Sequence, residues 1–200
     1  MTSVLDDWLQ PRPGGGAGGV SDRFSRLRSP VDERRDGEAD ADHPDAGLVS
    51  TGPQTRFHER VTYGLRTVLN AQAPGDLVAV SRMDVLLGPD RRARPDVSLV
   101  DDLAASDDRR TCYLAEEVRL VIEVVGPDSA APDRDLRPRH YAAAGIPHFW
   151  RVESTDCRPF VCSFELDADG AGYQVTGVHH TRLAVDAPFP IDIDLERLPR

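Results

Sequence analysis

The stretch VRLVIEVVGPDSAAPDRDLRPRHYAAAGIPHFWRV, residues 118–152, decides the fold. Its first eight residues are the most continuous β-branched run in the chain, which predicts a central strand buried on both faces. Gly126-Pro127 ends that run. Beyond it, Asp133 or Asp135 can cap a helix and Pro138 then falls in the first turn, where a missing N–H costs least. Tyr141 to Ala144 continue the helix, Gly145 and Pro147 stop it, and His148–Val152 is the next strand.

Working outward, residues 55–73 carry Phe57, Val61, Leu65, Val68 and Leu69 at helical spacing, closed by Pro74-Gly75. Short β-rich runs follow at Leu77–Val80 and Met83–Leu87. The polar GPDRRARP predicts a turn joining the second run to Asp96–Val100, where apolar and polar residues alternate, and residues 101–116 have the composition of a loop. After the decisive stretch, Pro159–Leu166 and Tyr173–Val178 are predicted strands joined by a DADG turn. Phe160, Cys162, Phe164 and Leu166 share one face, and VDAPFPIDIDLERL is an ordered closing segment. The order predicts an α/β (α+β) body without internal repeats. Residues 1–46 are Gly/Pro-rich and charged, with no sustained apolar period, and are expected to be a disordered tail on a domain spanning 47–200.

Composition narrows the chemistry. The chain has 200 residues and a formal charge of −10, and all 24 of its basic residues are arginine. No amine is therefore available for Schiff-base or general-base work. The acidic balance excludes a generic polyanion binder of the histone type but leaves room for a local basic cleft. No apolar run is long enough to span a membrane, and MTSVLDDWLQ lacks the features of a secretory signal. Cys112, Cys157 and Cys162 form no CxxC, so reduced thiols in a cytoplasmic protein are expected. A zinc site is not expected; the adjacent His179-His180 are read as surface residues of a strand end. No Walker loop, GxGxxG, GxSxG or HExxH is present.

What remains is a pair of carboxylates. Glu123 lies inside the apolar IEVV, where an unpaired ionised side chain costs several kcal/mol, so it needs a partner, a proton or a metal. An ion pair with an arginine and a working site both satisfy that need. Asp96 opens a strand after a turn. Together, two strand-borne carboxylates are what Mg²⁺ needs beside a phosphate substrate. His58 and Glu59 on the first helix are read as solvated, although a carboxylate there can join a metal cluster. His140 is expected to be packed or exposed. Asp133, Arg137 and Tyr141 share a helix face, with Tyr141 in the core and its hydroxyl tied off at the site edge. Arg91, Arg92, Arg94, Arg134 and Arg139 are candidate phosphate contacts or plain surface charge.

The series RPDVSLVDD, VRLVIEVVGPDS and DRDLRPRHYAAAGIPHFWRVE resembles the Uma-two family of restriction endonucleases, and residues 47–73 and FPIDIDLERL resemble its ends. The resemblance implies a PD-(D/E)xK nuclease fold, a restriction-endonuclease-like mixed sheet flanked by helices. It matches Asp96 to the aspartate of the PD element and Glu123 to the acidic residue of the next strand. The lysine expected two residues later is Val125. In this family it moves to the next helix, four residues before the tyrosine, where this chain has Arg137. The family's early glutamate has no counterpart in residues 33–46.

These readings lead to a metal-dependent DNA endonuclease. Asp96 and Glu123 are the expected Mg²⁺ (or Mn²⁺) ligands. Arg137, helped by Arg94 and Arg134, is the expected phosphate clamp. Arginine keeps the charge of the missing lysine but cannot deprotonate. The alternative is a catalytically inactive nuclease-fold module that binds nucleic acid or a protein partner. A third reading is a regulatory dimer with Glu123 merely salt-bridged. A homodimer is compatible with cutting both strands.

Overall fold

A computed structural model describes residues 54–126 and 131–199, with the side chains of 131–135 outside the description. The expected tail at 1–46 lies outside the described residues. The chain order is α1 (Arg56–Gln72), β1 (Leu77–Ser81), β2 (Asp84–Gly88), β3 (Arg91–Ala93), β4 (Val97–Asp101), α2 (Asp102–Ala105), β5 (Cys112–Leu114) and β6 (Val118–Val124). Then come α3 (Ala131–Ala143), β7 (His148–Thr155), β8 (Arg158–Leu166), β9 (Tyr173–His179), β10 (Arg182–Val185) and β11 (Ile191–Asp194).

Six strands form one mixed sheet in the order β1-β4-β6-β7-β8-β9. Its centre is the parallel pair β6/β7, joined through α3, while the flanking pairs are antiparallel. The eight-residue apolar run behaves as its composition requires. Leu120, Ile122 and Val124 enter one core and Val121 the other, so β6 is covered on both faces. On the first face lie Val61, Leu65 and Leu69 of α1 with Leu183, Ile191 and Ile193 of the β10–β11 hairpin. On the second lie Tyr141 of α3, Ile146 and the β2 and β5 side chains Val85 and Tyr113. Each fully buried leucine contributes about 1.5–3 kcal/mol. Among the described residues no helix is long and apolar enough to cross a membrane.

The ends of the helices follow local chemistry. Thr55 caps α1 by accepting from the His58 N–H, and the Ala73 N–H closes it on the Leu69 carbonyl before Pro74. Gly64 lets the closing segment approach α1: a Cβ there would stand 3.0 Å from Leu198 Cβ. At the end of α3, Gly145 takes φ +79° and the Ile146 N–H reaches back to the Tyr141 carbonyl, a 6→1 closure.

Three expectations are corrected. The run at 83–87 does not form a hairpin with Asp96–Val100. GPDRRARP turns earlier, and β3 pairs back onto β2 in a separate sheet ordered β3-β2-β5. Arg94 and Arg92 hold this hairpin by bonding the buried Asp84 at 2.6 and 3.1 Å. Residues 101–116 are not a loop throughout, because α2 packs under β4 and β5 adds parallel to β2. Neither Asp133 nor Asp135 caps α3. The helix begins at Ala131, and Pro138 sits inside it. A single proline removes one i→i−4 bond, here at the carbonyl of residue 134, and the helix continues across that gap.

Candidate active site

Two carboxylates meet at one end of the sheet. The antiparallel register of β4 on β6 begins with Val97 opposite Ile122, so Asp96, the residue before β4, lies at the end of β6 that carries Glu123. Asp96 stands in the bend before β4, and its Oδ2 accepts from the Val124 N–H at 2.8 Å. The PD turn is thereby tied to the peptide that follows Glu123. This end is the carboxyl end of β6, where the chain leaves for α3, and ligands of mixed α/β sheets commonly gather at such a place.

Glu123 is 8% exposed and meets two donors from α3. Tyr141 Oη donates to Oε1 at 2.5 Å, and Arg137 Nη1 donates to Oε2 at 2.8 Å. Arg137 and Tyr141 are four residues apart, so one helix face delivers both. Burial and the neighbouring Asp96 charge push the Glu123 carboxyl up to about 7, against the pull of Arg137 and Tyr141. Burial next to Glu123 also drives the Tyr141 hydroxyl well above its ordinary value, so it stays a donor. Tyr141 is fully buried, with its hydroxyl tied off at the site as expected. Arg137 keeps about a third of its side chain exposed.

The other candidates are distributed differently. Arg94 bonds Asp84 rather than approaching the carboxylate pair. Burial pushes the Asp84 carboxyl up, but the Arg94 and Arg92 guanidiniums outweigh this and hold it below its ordinary value. The side chains of Arg134 and Asp133 lie outside the described residues. Glu59 pairs with Arg82 at the surface. Burial, followed by the Arg91 charge, pushes the His140 imidazole down. His179 is half-buried with Nε2 3.1 Å from Ser163 Oγ, so it is not the surface residue expected, whereas His180 is exposed.

Sequence reasoning missed His58. Expected to be solvated, it is 4% exposed and sets Nε2 2.9 Å from Asp96 Oδ1. The signal lay in the spacing: residues 58, 61, 65 and 69 form one stripe, and the other three are core.

Among the described residues no group of three or more His, Cys, Asp or Glu gathers as a metal cage. Mg²⁺ does not need one, because it binds through one or two carboxylates and keeps several waters. Asp96 and Glu123 are a hard, all-oxygen donor set. Each oxygen described above accepts one hydrogen bond, and a carboxylate oxygen has a second lone pair. The residues therefore fit Mg²⁺ or Mn²⁺ and offer no soft ligand set for zinc.

This is a mixed α/β fold whose sheet end gathers two carboxylates, a tyrosine and an arginine. The family model described as Uma2, "Putative restriction endonuclease", matches residues 22–197, and the chain belongs to that family. The match begins inside the stretch 1–46. Among solved structures, the chain is similar to a "putative nuclease belonging to DUF820" from Anabaena variabilis ATCC 29413. The TM-score is 0.56 at 16% identity, over 73% of this chain and 81% of that one. No curated protein matches the chain.

Proposed function

We propose that the chain is a metal-dependent PD-(D/E)xK nuclease that hydrolyses phosphodiester bonds in DNA. Asp96 and Glu123 hold Mg²⁺ or Mn²⁺, and Arg137 clamps the scissile phosphate. The observation that carries this reading is the Val124 N–H bond that ties the Asp96 carboxylate to the residue after Glu123, with a part-exposed guanidinium on Glu123. A bound divalent cation supplies an activated water and charge for the departing oxygen.

The chain's own residues do the rest. The Val124 N–H holds Asp96, and Tyr141 holds Oε1 of Glu123, so both carboxylates are fixed before substrate arrives. Arg137 spends Nη1 on Glu123 and keeps further N–H donors in its fork for phosphate oxygens. It stays charged throughout and takes no proton from water. That last property also favours the second reading, a module that binds nucleic acid without cutting it.

The test is cleavage of supercoiled plasmid by purified protein with Mg²⁺ or with EDTA. Wild type is expected to nick DNA only with the metal, and Asp96→Ala and Glu123→Ala to lose at least 100-fold, on the order of one missing charge-stabilising group. Undiminished cutting by both variants overturns the nuclease reading. No cutting, combined with salt-sensitive DNA binding, selects the binding module.

A further inference from the structure

We propose that His58 is a positioning residue of this site, holding the Asp96 carboxylate in a fixed orientation beside Glu123. The inference rests on the reading of Asp96 and Glu123 as the metal-binding pair.

Asp96 precedes β4, so the sheet ladder does not fix its side chain. The final torsion of an aspartate is broad and nearly two-fold. Two donors from different elements remove that freedom. The Val124 N–H of β6 takes Oδ2 at 2.8 Å, and His58 Nε2 of α1 stands 2.9 Å from Oδ1. Glu123 is held the same way from the opposite face of the sheet, by Arg137 and Tyr141 of α3. Each helical layer therefore fixes one carboxylate.

Packing does not account for a histidine at this position. The stripe it occupies is otherwise Val61, Leu65 and Leu69, and a leucine would fill the same face without a polar atom to satisfy. His58 instead buries Nδ1 with no partner among the described residues, and an unsatisfied buried polar atom is unfavourable. The bond to Asp96 gives that arrangement its purpose. It also selects the tautomer: a proton on Nε2 donates to Oδ1, whereas a proton on Nδ1 sets a ring lone pair against the carboxylate.

The experiment measures Mn²⁺ affinity of the full chain by isothermal titration for wild type, His58→Leu and His58→Gln. Melting temperatures confirm that each variant is folded. Leucine fills the stripe but donates nothing; the glutamine amide nitrogen reaches about as far as Nε2 and restores a donor. Metal affinity is expected to fall about tenfold or more in His58→Leu, the usual effect of losing a group that orients a ligand. His58→Gln is expected to return to within about threefold of wild type. Equal affinity in wild type and His58→Leu overturns the positioning role while leaving the metal site standing. A loss in His58→Gln as deep as in His58→Leu also overturns it, because bulk rather than the donor would then be responsible. A wild-type chain that takes up no Mn²⁺ overturns the site reading itself, and the role of His58 with it.

Discussion

The backbone N–H of Val124 donates to Oδ2 of Asp96 across 2.8 Å, so the aspartate that opens β4 is tied to the strand carrying Glu123. Glu123 stands on a strand, whereas Asp96 stands in the bend before β4, so this bond to the strand backbone gives Asp96 the rigid base that a precise site needs.

If the pair binds a divalent cation only in the folded state, Mg²⁺ or Mn²⁺ must raise the melting temperature. At ten times its Kd, one bound ion adds about 1.4 kcal/mol, or roughly 3–6 °C for a domain of this size. Asp96→Ala is expected to remove most of that shift. Calorimetric scans with and without the metal check this, and an unchanged response in the variant removes Asp96 from the ligand set.

Glu123 makes stability depend on pH in an unusual direction for a carboxylate. Its folded value is pushed up to about 7 from an ordinary 4.5. Between those values the folded state binds the proton that the unfolded state has released, so stability falls as pH rises. The favourable contribution is complete below about pH 4.5 and is lost through about pH 7, a swing on the order of 3 kcal/mol. Glu123→Gln cannot titrate. Its stability relative to wild type is therefore expected to increase steadily from pH 4.5 to 7.5 in metal-free buffer. Urea unfolding at several pH values measures this, and a constant difference contradicts the shift.

Much of this arrangement was legible in the sequence, for identifiable reasons. VRLVIEVV is the most continuous β-branched run of the chain, which made it the best candidate for a doubly covered strand, and a glutamate inside it had to be engaged. Tyr141 follows Arg137 by one helical turn, so their common face was countable. Other parts had no period to count. The strands β3 and β5 have three residues each, and Arg91-Arg92-Ala93 has the composition of surface. Arg94 lies two residues before Asp96 in sequence, yet the hairpin turns it toward Asp84, and charge proximity along a chain does not reveal such a choice. His58 was obscured by its polarity, although its position on the α1 stripe was available to arithmetic.

Tyr141 gives a separable test of how Glu123 is held. Tyr141→Phe keeps the ring that packs 6.1 Å from Phe149 and removes only the donor to Oε1. A hydrogen bond to a charged acceptor is worth about 1.5–3 kcal/mol and a neutral one about 1. The variant should therefore lose more stability at pH 8, where Glu123 is ionised, than at pH 5. Equal losses at the two pH values, measured by denaturant unfolding, mean that the hydroxyl does not act through the carboxylate charge.

Arg137 decides between a weakened nuclease and an adapted clamp. The resemblance to the family puts a lysine there, and the Arg137 guanidinium already rests on Glu123 Oε2 from a helix facing the site. Arg137→Lys keeps the charge at that place and adds a group that can lose a proton or act on phosphate as a point charge. If the arginine is drift in a chain devoid of lysine, the variant is expected to cleave DNA several-fold faster with Mg²⁺. A bidentate clamp predicts the opposite, because a planar fork is exchanged for one ammonium and phosphate binding weakens. We expect the gain. A lysine at this helix position keeps a point charge for the phosphate and restores a group that can lose a proton, and Tyr141 holds Glu123 independently. Single-turnover cleavage of a plasmid by the two forms separates the outcomes, with Glu123→Ala as the control that excludes a contaminating activity. A drop in rate with unchanged Mn²⁺ affinity assigns Arg137 to the substrate, and a gain confined to the lysine form assigns the loss to that one replacement.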